Sequence, residues 1–142
     1  MYEKLRKAID AGLFGANLTR VVPPPAAGEI AALANQMHLP LCPEHIQLLR
    51  EWGGSNLDEI RINGLDKVRC DGTFVEFAND YNGFIYKYDR SGAVYREDTD
   101  GGLTRQIALS VPEFINDVFL GEQCVPVYGE DWLAELRKHE LV

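Results

Sequence analysis

Two glycine-bearing turns on either side of one alternating segment constrain this chain more than any other feature. Asn82-Gly83 and Asp89-Arg90-Ser91-Gly92 flank Phe84-Ile85-Tyr86-Lys87-Tyr88. Each turn supplies a residue that tolerates positive φ where a hairpin needs one. Between them, Phe84, Tyr86 and Tyr88 share one face and Ile85 and Lys87 the other, so the segment is a strand with an antiparallel neighbour on each side. Further β-rich runs at 59–62, 73–78, 93–97 and 103–108 are bounded by turn residues. With 84–88 they predict an antiparallel meander whose sheet has one wetter face.

Outside the meander the apolar period lengthens to that of a helix. Leu5, Ile9 and Leu13 predict a helix over 2–13, and Ile30, Leu33, Ala34 and Met37 one over 29–37. Pro43 occupies a natural first helical position, followed by the stripe Ile46, Leu48, Leu49, Trp52 and a Gly53-Gly54 stop. Phe114, Ile115, Val118 and Phe119 predict a helix over 112–120. Trp132, Leu133 and Leu136, continued at His139 or Glu140, predict one over 130–141. Helices at both ends of a central, mostly antiparallel meander define the α+β class. Pro23-Pro24-Pro25 cannot continue a helix, and the residues before them are too few to hold a core. The chain is therefore read as a single domain over 1–142, with 1–28 forming an N-terminal helix and a proline-marked connector.

The chain of 142 residues carries 22 acidic and 14 basic side chains, a formal charge of −8. Such a field repels phosphate backbones and anionic lipid headgroups and attracts cationic partners, which argues against nucleic acid or a membrane as the partner. No apolar run has the length of a secretory leader or a membrane span. Cys42, Cys70 and Cys124 are odd in number and contain no C-x-x-C pair, a usage that fits reduced thiols in the cytoplasm.

Searched for chemistry, the residues assemble no active site. Cys42 and His45 stand three apart at a helix start, where a thiol pKa can fall. The preferred reading is a small apolar residue at the helix entry and a partly solvated histidine. Zinc would need a second tight ligand pair. Calcium loops aligned on Asp80-Tyr81-Asn82-Gly83 or Asp98-Thr99-Asp100-Gly101 fail at their ligand positions, which leaves both as turns. Glu76, between Val75 and Phe77, would have a raised pKa if buried, but on an alternating strand it is read as facing outward. Gly53-Gly54 and Gly101-Gly102 lack the lysine of a phosphate loop. No cofactor, metal or catalytic role is assigned. What remains is a negative surface, Glu97, Asp98 and Asp100 with Asp58-Glu59 and Asp89, beside hairpin tyrosines such as Tyr81. Those residue types suit a protein–protein contact.

The order of segments carries one further implication. Leu39-Pro40, the helix ending at Trp52-Gly53-Gly54, and Phe74-Val75-Glu76-Phe77-Ala78-Asn79-Asp80 open the pattern. It continues through Gly83 into Phe84-Ile85-Tyr86-Lys87-Tyr88-Asp89, Gly92-Ala93-Val94-Tyr95, and Ile107-Ala108 before Pro112-Glu113-Phe114-Ile115. Over residues 29–120 this order resembles the SUKH superfamily, which includes bacterial toxin-immunity proteins and a fungal cell-wall-assembly regulator. The resemblance implies an α+β fold with a central, mostly antiparallel sheet, and a cytoplasmic protein that neutralises a cognate toxin by binding it. The toxins of such proteins are often nucleases, whose substrate surfaces are basic. By their charge and residue type, and not by the resemblance, Glu97, Asp98, Asp100, Asp89 and Tyr81 are the expected contact residues; a regulatory or scaffolding module for an endogenous protein is the alternative function.

Overall fold

In the computed structural model, residues 1–15, 25–37 and 39–142 are described. Pro23 and Pro24 of the expected connector, and His38, lie outside them. The chain begins with α1 (Glu3–Asp10), α2 (Ala27–Gln36) and α3 (Pro43–Trp52). Strands β1 (Asn56–Leu57), β2 (Ile60–Ile62), β3 (Arg69–Cys70), β4 (Val75–Asn79), β5 (Phe84–Tyr88), β6 (Val94–Asp98) and β7 (Thr104–Ala108) follow. The C-terminal layer is α4 (Val111–Glu113), α5 (Val125–Tyr128) and α6 (Glu130–Lys138). The sheet runs β1-β2-β4-β5-β6-β7, every pairing antiparallel, with β3 also on β4. This is the expected α+β class, a meander between N- and C-terminal helices.

The three hairpins that join β4 to β7 share one device. Asp80, Asp89 and Asp98 each close their own turn through Oδ1. Asp80 accepts from the Asn82 and Phe84 amides at 2.9 and 3.1 Å, and Asp89 from those of Ser91 and Ala93 at 2.9 and 3.2 Å. Asp98 accepts from Asp100 and Gly101 at 3.0 and 3.3 Å. An aspartate that bonds the backbone two residues on mimics a turn locally, and Gly83, Gly92 and Gly102, at φ of 86, 90 and 71°, reverse the chain. The first turn thus begins at Asp80, two residues before the Asn82-Gly83 pair.

Alternation decides which sheet face is buried. Val75, Phe77, Tyr86, Tyr88 and Val94 are inside, against Leu48 and Leu49 of α3 and Phe114. The Phe114 ring lies 5.9 Å from Phe77 and 5.1 Å from Tyr86. A bulge between Glu76 and Ala78 turns Phe77 and Ala78 both inward. A second aromatic cluster joins Phe14, Phe119 and Trp132, and the Trp132 indole donates to the Phe119 carbonyl at 2.7 Å. On the outer face Lys87 is buried rather than wet. Its ammonium lies 2.6 Å from Glu97 and 4.2 Å from the Phe74 ring centre, so both its charge and its stem are covered.

Several boundaries differ from the periodic reading. The helix expected over 2–13 ends at Asp10, and its apolar stripe continues as turns to Phe14. In place of a regular helix over 112–120, one turn of α-helix leads into a π-helix, Phe114–Phe119, ending with the Leu120 amide on the Ile115 carbonyl at 3.0 Å. The wider turn places Phe114, Ile115, Val118 and Phe119 all inside, which a strict 3.6 period would spread further around the axis. Gly121 closes it where a Cβ would collide with the Asp117 carbonyl oxygen. Strands β1 and β3 have two residues each, too short for an alternation signal.

The predicted helix over 130–141 stops at Lys138 because Glu140 takes a φ of 59°. The Glu140 and Leu141 amides then bond back to Arg137 and Leu136 at 3.0 and 2.9 Å, and Leu141 is buried. This is the hydrophobic helix stop that ordinarily carries glycine. Glu140→Gly is accordingly expected to stabilise the fold by about 1 kcal/mol, measured by urea denaturation.

Candidate protein-binding site

Antiparallel register brings three loops to one end of the sheet. The β1–β2 turn (Asp58, Glu59), the β4–β5 turn (80–83) and the β6–β7 turn (98–102) are neighbours there. Thr99 ties two of them together, donating its amide and its hydroxyl to the Gly83 carbonyl at 3.0 and 2.6 Å. Glu59 senses the crowding, since burial and then the charges of Asp58 and Asp80 push its carboxyl above the usual range. Tyr81 stands out from this rim at 58% exposure, its hydroxyl donating to the Asn56 side chain and its ring lying 5.1 Å from the Arg61 guanidinium. Its position is therefore held while its ring stays available.

Of the residues expected to meet a partner, Tyr81, Asp98 and Asp100 meet at this rim. Asp100 is exposed, whereas Asp98 is half-exposed and commits one oxygen to its own turn. Glu97, one residue earlier on β6, projects from the outer face toward Lys87. Asp89 lies at the opposite end of the sheet, in the β5–β6 turn. Burial alone would raise its carboxyl, but hydrogen bonds from Ser91, Tyr95 and Ala93 outweigh it and hold the pKa below the ordinary value. The five residues thus form one cluster, one outer-face ion pair and one remote turn. Asp58 and Glu59 complete the rim instead, because β2 pairs with β4 ahead of the Asp80 turn.

The chemistry candidates fall as follows. His45 is fully buried, which corrects the expectation of a partly solvated side chain. It lies on the α3 face that meets the sheet, 5.9 Å from the Phe77 ring and 5.3 Å from that of Tyr88. Its Nδ1 is 2.7 Å from the Tyr88 hydroxyl, and Nε2 has no hydrogen-bond partner among the described residues. Burial lowers its pKa from 6.5 to about 3, so it is neutral at physiological pH. Burial also pushes the Cys42 thiol up, the reverse of what a helix start alone would do. Glu76 is half-buried, its carboxyl raised by burial. No group of three or more metal-ligating side chains occurs among the described residues, nor a helix there long and apolar enough to cross a membrane.

No family model, curated protein or solved structure matches the chain.

One feature of the inner face escaped periodic reading altogether. Asp80 Oδ2 accepts from the Tyr86 hydroxyl at 2.9 Å and from Arg96 Nη2 at 3.4 Å, and the Tyr128 hydroxyl donates to that of Tyr86 at 2.9 Å. The network pins the rim to α5, across separations in sequence that no local pattern reports.

Proposed function

We propose that this protein acts as an immunity-type protein in the cytoplasm, binding and neutralising a cognate toxin domain with a basic surface. A nuclease is the toxin class that fits best, since its substrate surface is cationic. The observation that carries the reading is that the register brings Asp58, Glu59, Asp98 and Asp100 to the one end of the sheet where the Tyr81 ring stands exposed. An aromatic anchor within a charged rim is the composition of a contact that steers its partner electrostatically and holds it by apolar burial. The order of segments, which resembles that of the SUKH superfamily, points the same way, and the protein works by covering the toxin's active site rather than by chemistry of its own.

The test is capture from a lysate of the source cell, washed at low and then high salt, followed by inhibition of the captured domain with purified protein. A basic toxin domain held at one-to-one stoichiometry and inactivated by the complex is the expected result. Capture of an endogenous regulatory target instead, with no toxin activity affected, assigns the protein to the scaffolding alternative. With the toxin in hand, Glu59→Lys combined with Asp100→Lys is expected to slow association about tenfold at low salt and to flatten its salt dependence. Unchanged association would move the contact away from the rim.

A further inference from the structure

At the β7 edge the inner face opens into a cleft of about 230 Å³ between β5–β7 and α5. Phe84, Leu103, Ile107, Pro126 and Val127 supply its apolar walls, and Leu103 at the mouth is 70% exposed. Its cations are Arg96 and Arg105, which face each other directly across the β6–β7 pair. Like charges opposite one another on one face of a sheet destabilise it, and the local carboxylates relieve this pair only in part. Arg96 lies over Phe84, with its guanidinium carbon 3.5 Å from the ring centre, and donates to the Tyr86 hydroxyl at 3.1 Å and to Asp80 at 3.4 Å. Asp98 also lines the cleft, but its Oδ1 is turned into its own loop. Arg105 is exposed and forms no ion pair among the described residues.

We infer that this cleft binds a small monocarboxylate with a short hydrocarbon body, its carboxylate bridging Arg96 and Arg105 and its chain lying against Phe84, Ile107 and Val127. A guanidinium suits the planar geometry of a carboxylate, and an anion that accepts from Arg105 and from the edge of Arg96 not turned to Tyr86 and Asp80 converts a repulsion into two charge-assisted bonds. The apolar walls select against inorganic anions, which gain nothing there. The size selects too, since pockets for drug-sized ligands have roughly 300–1,000 Å³ and this one is smaller.

The probe is hexanoate, compared with uncharged hexanamide and with inorganic phosphate, titrated into the isotopically labelled full chain and followed by NMR. Hexanoate is expected to give saturable shifts at the Leu103, Ile107 and Val127 methyls, with hexanamide and phosphate about tenfold weaker. Arg105→Gln, at an exposed position that leaves the rest of the spectrum in place, is expected to weaken hexanoate about tenfold. The assignment is overturned if hexanoate fails to saturate these methyls by about 20 mM. Equal binding of hexanamide or phosphate, or unchanged binding to the Arg105→Gln protein, overturns it as well.

Discussion

Phe114→Ala is expected to cost about 3–5 kcal/mol of folding stability, read as a fall in the midpoint of urea denaturation with an unchanged slope. The ring is fully buried and bridges two layers, touching Phe77 and Tyr86 on the sheet while its backbone opens the π-helix. Removing it takes away the transfer energy of a large apolar group and leaves a void. The neighbours cannot close it, since Tyr86 is held through its hydroxyl by Asp80, Arg96 and Tyr128. Domains of this kind have total stabilities of about 5–15 kcal/mol, so the variant loses a large share of its stability and its thermal midpoint falls by well over about 5 °C. A loss under about 1 kcal/mol would mean that the C-terminal layer is not packed on the sheet as described.

Acid is expected to weaken the fold through His45 before the carboxylates titrate. The buried imidazole has a pKa near 3 in the folded protein against 6.5 when unfolded. Below 6.5 the unfolded chain therefore binds a proton that the native state refuses. The stability of the neutral imidazole is fully present above about pH 6.5 and is lost as pH falls toward 3. By linkage the loss reaches about 2 kcal/mol at pH 5. His45→Phe keeps a ring of similar shape and cannot titrate, so its stability should change less between pH 7 and 5 than that of the wild type, by that same amount. Parallel pH profiles for the two proteins would place the acid sensitivity elsewhere.

The histidine shows where local reading runs out. Its position on α3 was clear from Pro43 and the Leu48, Leu49 and Trp52 stripe, and α3 has the expected bounds. Its burial was not, because the inward face of α3 is wider than the apolar stripe, and the extra width is filled by a polar ring bonded to Tyr88. Ile46, counted in the stripe, is instead only partly buried. Lys87 departs in the same direction, read as a wetter-face residue yet covered by Phe74 and Glu97 from neighbouring strands. The candidate site was legible in kind and not in place. Acidic turns and hairpin tyrosines were visible, but meander register alone separates Asp89 from Asp98 and joins Asp58 and Glu59 to Tyr81.

The sequence by itself determined the class of fold, five of the strands to within about two residues and the division of β5 into an aromatic face and a face of Ile85 and Lys87. Period-two and helical spacing are local properties, and Gly and Asp turn chemistry acts within four residues. Only the tertiary structure decided which turns share an end of the sheet, that the Phe114 segment winds as a π-helix, that His45 is buried, and that Arg96 and Arg105 line one apolar cleft. Each depends on contacts between residues distant in the chain. Burial and Coulomb energies are set there by spatial neighbours that no window along the sequence contains.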